Sequence, residues 1–190
     1  RQSIHFLIDE VYAEKNPYRI NYQAIFPYIK KDNLIFLIQK LTEIGVNSLI
    51  IFKPDHMDQS LVKKDMSKLN EKIEEAIIHA CEQSGCNFMP TVKYFKGLDD
   101  ALQHATTETE SEDIFVLDTI ADKLSGDLLK SNAKMISFIT GPESGFSNNE
   151  RALMAQKKIS NYRLGHYILR AETAPLVTLS KLHTLNGENA

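Results

Sequence analysis

Short apolar runs alternating with amphipathic helical patterns constrain this chain more than any other feature. Ile20 to Phe26, Val46 to Phe52, Pro90 to Tyr94, Ile114 to Leu117 and Met135 to Ile139 each read as a strand. Between them Leu34, Leu37, Ile38 and Leu41 recur at helical spacing, as do Leu69, Ile73, Ala76, Ile77 and Ala80. A helix that carries the chain from one strand to a parallel neighbour makes a right-handed crossover, so repeated alternation implies a parallel sheet with helices on both faces. Val46 to Phe52 is apolar apart from Asn47 and Ser48, which suits a strand covered on both sides. The expected fold class is α/β.

Local signals place the element ends. Asp32 is the expected N-cap of the first helix and Gly45 its C-terminal stop; Ser67 and Gly85 play the same parts for the second. A short helix is expected from Asp99, passing into a solvated loop over Thr106 to Ser111, and a helical turn around Leu124 to Leu129. Upstream, Ile4 to Ile8 reads as a short strand and Ala13 to Pro17 as a turn or linker. That piece is too short for a domain, so it decorates a sheet edge or ends a domain lying further upstream. The initial Arg in place of Met points to a natural N-terminus beyond it.

Composition removes several classes of function. A chain of 190 residues buries enough surface to need no disulfide or metal staple, and 43% hydrophobic with 25% charged residues is the balance of a soluble globular protein. No apolar run reaches membrane-spanning length and the opening residues lack the layout of a signal peptide, so a cytoplasmic location is expected. Cys81 and Cys86 have neither redox nor zinc spacing, and the six histidines show no metal-ligand pattern. The net charge of -3 is unfavourable for gripping phosphate, but its distribution is uneven. Eight acids and no Lys or Arg lie between Asp99 and Asp122, whereas from Glu150 onward six bases face three acids. Dinucleotide, P-loop and nucleophile-elbow motifs are absent.

Two loops in the last third carry the chemistry. Ile139-Thr140-Gly141-Pro142-Glu143-Ser144-Gly145-Phe146 and the stretch from Leu164 to Ala174 are each expected to leave an apolar, strand-like run and enter a helix. In open α/β sheets, ligands bind at the carboxyl ends of strands. Gly141 and Gly145 allow close backbone approach or positive φ, and Pro142 stiffens the path between them. Ser147-Asn148-Asn149-Glu150 matches a capping box, fixing a helix start whose N–H groups suit an acceptor-rich ligand. A tight strand-to-helix turn with no ligand is the plain alternative. Arg170, with Glu172 two residues on, is placed like a substrate clamp; the competing reading is a surface ion pair.

Taken in order, Gly141-Pro142-Glu143-x-Gly145-Phe146-Ser147-x-x-Glu150 and Leu164-Gly165-x-x-Ile168-Leu169-Arg170-x-Glu172-Thr173-Ala174 resemble the paired signature of the RsmE family. These are SPOUT-superfamily methyltransferases that modify N3 of a uridine in the 16S RNA of the small ribosomal subunit. Ile38 to Val46 and Ala80 to Gly85 agree with the family pattern, and the likeness runs from about residue 18 to 188. Departures fall at Ser144, where Gly is usual, at His166-Tyr167 in place of Pro-Arg, at Cys86 in place of Arg, and at Phe88, where a base is frequent. The lost cations lessen the expected grip on RNA phosphate.

The resemblance implies a parallel sheet flanked by helices and ending in a deep C-terminal trefoil knot. It also implies S-adenosylmethionine as methyl donor with no metal, a homodimer joined through the knots, and no membrane partner. Residues 1–17 would be the last strand and linker of an N-terminal PUA-like β-barrel, and residues 18–190 the methyltransferase domain. Leu117, Thr140, Gly141, Pro142, Glu143, Gly145, Leu164, Gly165, Ile168, Leu169 and Thr173 would cradle the cofactor, with Arg170 and Glu172 catalytic. Two alternatives stay open: a SPOUT enzyme acting on another RNA nucleotide, and a non-enzymatic RNA-binding or ribosome-assembly protein.

Overall fold

The protein is described by a computed structural model over residues 7, 10, 17–57, 66–108, 113–124 and 133–188, the side chains of 66 and 67 excepted. The strand expected over Ile4 to Ile8 and the turn at Ala13 to Pro17 fall almost wholly outside those residues. The chain runs β1 (Asn21–Pro27), α1 (Lys31–Ile44), β2 (Ser48–Phe52), α2 (Met66–Ser84), β3 (Thr91–Phe95), α3 (Leu98–Glu108), β4 (Ile114–Leu117), β5 (Met135–Thr140), α4 (Asn148–Gln156), β6 (Ser160–Tyr162) and α5 (Thr173–Asn186).

All six strands are parallel and form one sheet in the order β3-β2-β1-β5-β4-β6. Side-chain alternation sends Tyr22, Ala24, Phe26, Leu49, Ile51 and Phe138 to one face, where Leu34, Leu37, Leu41 of α1, Leu69, Ile73, Ile77 of α2 and Leu179, Leu182 of α5 cover them. The opposite face presents Ile25, Ile50, Phe52, Val116 and Ile139 to Leu98, Ala101, Leu102 of α3 and Met154 of α4. Each such Leu, Ile or Phe, fully buried, contributes about 1.5–3 kcal/mol. All five residues of β2 are buried, as an inner strand between two helical layers requires.

A polar row crosses the second face near the strand starts. Gln23 is fully buried; its amide nitrogen donates to Glu108 at 3.0 Å, and its oxygen accepts from the Ser137 hydroxyl at 2.9 Å. Register explains the row, since Gln23 is paired with Ser48 on one side and Ser137 on the other, and Ser48 with Thr91. Glu108 also receives Lys93 at 3.3 Å.

Several element ends differ from expectation. The N-cap of α1 is Lys30, not Asp32, and it makes no side-chain cap bond; Asp32 lies in the first turn, where its charge complements the helix dipole. α2 starts at Met66, so Ser67 lies inside it rather than before it. The loop expected from Thr106 is helical as far as Glu108, with the Thr106 and Thr107 hydroxyls donating back to Gln103 and His104 carbonyls. The C-terminal stops at Gly45 and Gly85 hold, both glycines being left-handed. Of the turn expected at Leu124 to Leu129 only Leu124 is described, and it bridges to Arg163.

Candidate functional site

β4 lies between β5 and β6 and is parallel to both, which sets their three carboxyl ends side by side at one edge of the sheet. Leu117, at the end of β4, is in register with Thr140 of β5 and with Tyr162 of β6. The loops that follow therefore start side by side, and they enclose a cavity of about 450 Å³.

The loop after β5 is shaped by its own residues. The Gly145 N–H donates to the Pro142 carbonyl at 2.9 Å, closing a tight turn, and Gly145 has φ of +74°, a conformation L side chains rarely adopt. Ser144 does not share that conformation and keeps an ordinary negative φ, so its departure from Gly costs no backbone strain. Phe146 is buried in the core formed with Ile139 and Met154, which anchors the loop's far end. The Ser147 hydroxyl accepts from the Glu150 N–H at 3.0 Å while Glu150 accepts from the Ser147 N–H at 2.7 Å, completing the expected capping box. Ser147 also donates to Asp55 at 2.5 Å, and the Asp55 N–H donates to Glu150 at 3.2 Å. The loop after β2 is thereby tied to this helix start.

Two features give the cavity its polarity. The Thr140 hydroxyl is buried and has no hydrogen-bond partner among the described residues, an arrangement that costs about 1–3 kcal/mol unless something binds there. Asp118, whose side chain is 3% exposed, takes the Arg151 guanidinium in a two-point pair, Nε to Oδ2 at 2.7 Å and Nη2 to Oδ1 at 3.3 Å. That bond raises the Arg151 pKa, so its charge is secure.

The segment after β6 supplies the opposite wall. Ile168, Leu169, Arg170 and Ala171 line the cavity, and Ala174 of α5 closes it. Arg170 is 85% exposed and stands 3.9 Å from Glu172, whose side chain is 12% exposed. The pair is loose, leaving the Arg170 guanidinium at the mouth with donors to spare. Tyr167 and Ile168 are also strongly exposed there. The entry to this loop differs from expectation: β6 is a three-residue strand, Ser-Asn-Tyr, not an apolar run.

Of the residues expected at the site, Leu117, Thr140, Gly141, Pro142, Glu143, Gly145, Ile168, Leu169 and Arg170 line this cavity. Leu164 lines a smaller adjoining one of about 50 Å³ with Leu117, Tyr167, Ile168 and Leu169. Gly165, Glu172 and Thr173 line neither. Asp118, Thr119, Phe146 and Arg151 belong to the wall without having been expected there. The position of Asp118 directly after the apolar run of β4 was the available signal; nothing local pointed to Arg151. No group of three or more His, Cys, Asp or Glu among the described residues is placed to hold a metal ion. No helix among them is long and apolar enough to cross a membrane. Cys81, in the last turn of α2, and Cys86, just beyond it, are free thiols.

A family model for an RNA methyltransferase domain matches residues 14–183. Curated relatives named Ribosomal RNA small subunit methyltransferase E include one from Buchnera aphidicola, 29% identical over 84% of this chain and 61% of the relative. Another, from Borreliella burgdorferi, is 30% identical over 77% of this chain and 61% of the relative. The chain thus spans about three fifths of the length of these relatives. Among solved structures, the Neisseria gonorrhoeae enzyme of that name bound to S-adenosyl methionine superposes with a TM-score of 0.76 at 26% identity, covering 87% of this chain and 66% of that one. The Aquifex aeolicus TrmH/SpoU tRNA modifying enzyme shares the fold alone, with a TM-score of 0.54 at 10% identity over 90% of this chain and 76% of that one.

Proposed function

This chain belongs to the RNA methyltransferase domain family, and we propose that it is the catalytic part of an S-adenosylmethionine-dependent enzyme methylating N3 of a uridine in 16S ribosomal RNA. The observation that carries this reading is the cavity at the carboxyl ends of β4, β5 and β6, built from both signature loops with Arg170 at its mouth. The residues fit the cofactor: about 450 Å³ suits a nucleoside-sized ligand, Thr140 offers a buried hydroxyl with no partner among the described residues, and the turn at Gly145 keeps side chains out of the way. Leu117, Thr140 to Gly145 and Leu164 to Leu169, with Thr173 behind them, would form the cradle.

When bound, the cofactor supplies an electrophilic methyl on a sulfonium. The chain's own task is then to present uracil N3 in line and to manage its proton, because N3 of the neutral base is protonated. Arg170, exposed and loosely paired, holds the uracil or its phosphate and stabilises the charge that develops as the proton leaves. Glu172 orients Arg170 or accepts that proton.

The same reading includes a C-terminal trefoil knot formed by the segments after β4, β5 and β6, and a homodimer joined through it. Residues 1–17, nearly all outside the described residues, would end a PUA-like RNA-binding barrel, and 18–190 would be the methyltransferase domain. The place of action is the cytoplasm, in rRNA processing during ribosome biogenesis. The test is Arg170→Ala in the full-length protein. Methyl transfer to small-subunit RNA should be abolished while cofactor affinity stays within a few fold; unchanged turnover would remove Arg170 from the mechanism.

A further inference from the structure

Arg151 has more donors than its ion pair consumes. A guanidinium presents five N–H groups in a rigid fork, and Asp118 takes one from Nε and one from Nη2. No other acceptor among the described residues takes the rest. Asp118 is sealed behind it, whereas the Arg151 side chain is 30% exposed and both residues line the cavity. Arg151 also lies beneath the tight turn, its Nη2 only 3.5 Å from where a Cβ on Gly145 would stand. It belongs to the first half of α4, next to the buried Glu150 of the capping box.

The cavity's charges divide by depth. Glu143, exposed, and Arg170, 85% exposed, stand at the rim; Asp118 and Arg151 are set into the wall. A ligand carrying a carboxylate into this cavity meets one partly buried cation with unspent donors. We propose that Arg151, held in place by Asp118, binds the α-carboxylate at the amino-acid end of the cofactor. The proposal rests on the reading that this cavity takes S-adenosylmethionine. It assigns Arg151 the part that backbone groups and the Thr140 hydroxyl, all neutral, cannot play: a two-donor grip on a carboxylate, for which the planar fork of Arg is suited and Lys only partly so.

Two ligands that differ in that group test it. S-adenosylhomocysteine keeps the amino-acid end; 5′-methylthioadenosine lacks it. Removing Arg151 alone would bury an unpaired Asp118 charge, so the variant of choice is the double substitution D118N/R151M, with R151K as the partial replacement. By titration calorimetry on the full chain, the wild type should prefer S-adenosylhomocysteine. D118N/R151M should lose about tenfold or more in affinity for it while binding 5′-methylthioadenosine as before, and R151K should fall between. An unchanged preference in D118N/R151M, or equal weakening of both ligands, would overturn the proposal. A wild-type protein that binds neither ligand is a different result: it would overturn the cofactor reading itself, and this assignment with it.

Discussion

A Cβ placed on Gly141 would stand 3.0 Å from the ring of Phe146. The contact links the first residue after β5 to the buried anchor of the loop, so the loop's path depends on the missing side chain at 141. Gly141→Ala should force either the Phe146 ring or the turn to shift, weakening S-adenosylmethionine binding about tenfold and lowering stability by about 1–3 kcal/mol, as overpacking does. Adding Phe146→Leu should recover part of both losses. Calorimetric titration and urea unfolding of the two single variants and the double variant would measure the coupling.

The buried Gln23 serves three partners at once, accepting from Ser137 and donating to Glu108 and to Ser48. Gln23→Leu keeps roughly the same shape but removes its hydrogen bonds from the buried row, at a cost of about 1–3 kcal/mol. Chemical denaturation should show the lowered midpoint with an unchanged slope, since the sheet itself is intact. Cofactor affinity should be little altered, because the row lies at the amino end of the strands.

His183 gives the protein an acid limit. It is buried between the rings of Tyr18 and Tyr22, with centroids 4.3 and 4.7 Å away, beside Glu188 at 3.8 Å. Burial pushes its pKa below the ordinary 6.5, partly opposed by Glu188. The unfolded chain therefore binds the proton more readily than the folded one. Stability should be full above about pH 6.5 and should fall as pH drops toward the folded value. His183→Phe, which keeps an aromatic ring there, should flatten that part of the profile in melting curves taken between pH 7.5 and 5, on the order of those intervals.

Ser147 ties the cradle to its surroundings through the Glu150 N–H and the Asp55 carboxylate. Ser147→Ala should cost about 1 kcal/mol for the lost cap. Amide exchange should rise most in residues 148–151, at the helix start beside the cavity.

How much could be read in advance follows from how local each signal is. Gly45, Gly85 and the Ser147 box mark helix ends by chemistry confined to a few neighbouring residues, and they stand where expected. Asp32 misled because an acid suits the first turn of a helix as well as its cap. Helix α3 outlasts its sequence signal because Glu108 is held by Gln23 and Lys93, which come from other strands. β6 has no apolar run; it exists by pairing with β4. The Asp118–Arg151 pair joins residues 33 positions apart, a distance at which no spacing rule applies. The signature loops were legible because glycine, proline and a capping box each act on their immediate neighbours.

The central claim is methyl transfer to one uridine. Small ribosomal subunits lacking the modification should be incubated with the full-length protein and isotope-labelled S-adenosylmethionine, and the nucleosides of the RNA resolved by mass. The account predicts labelled 3-methyluridine at a single position. Label in another nucleoside, or none while the cofactor is bound, would contradict it.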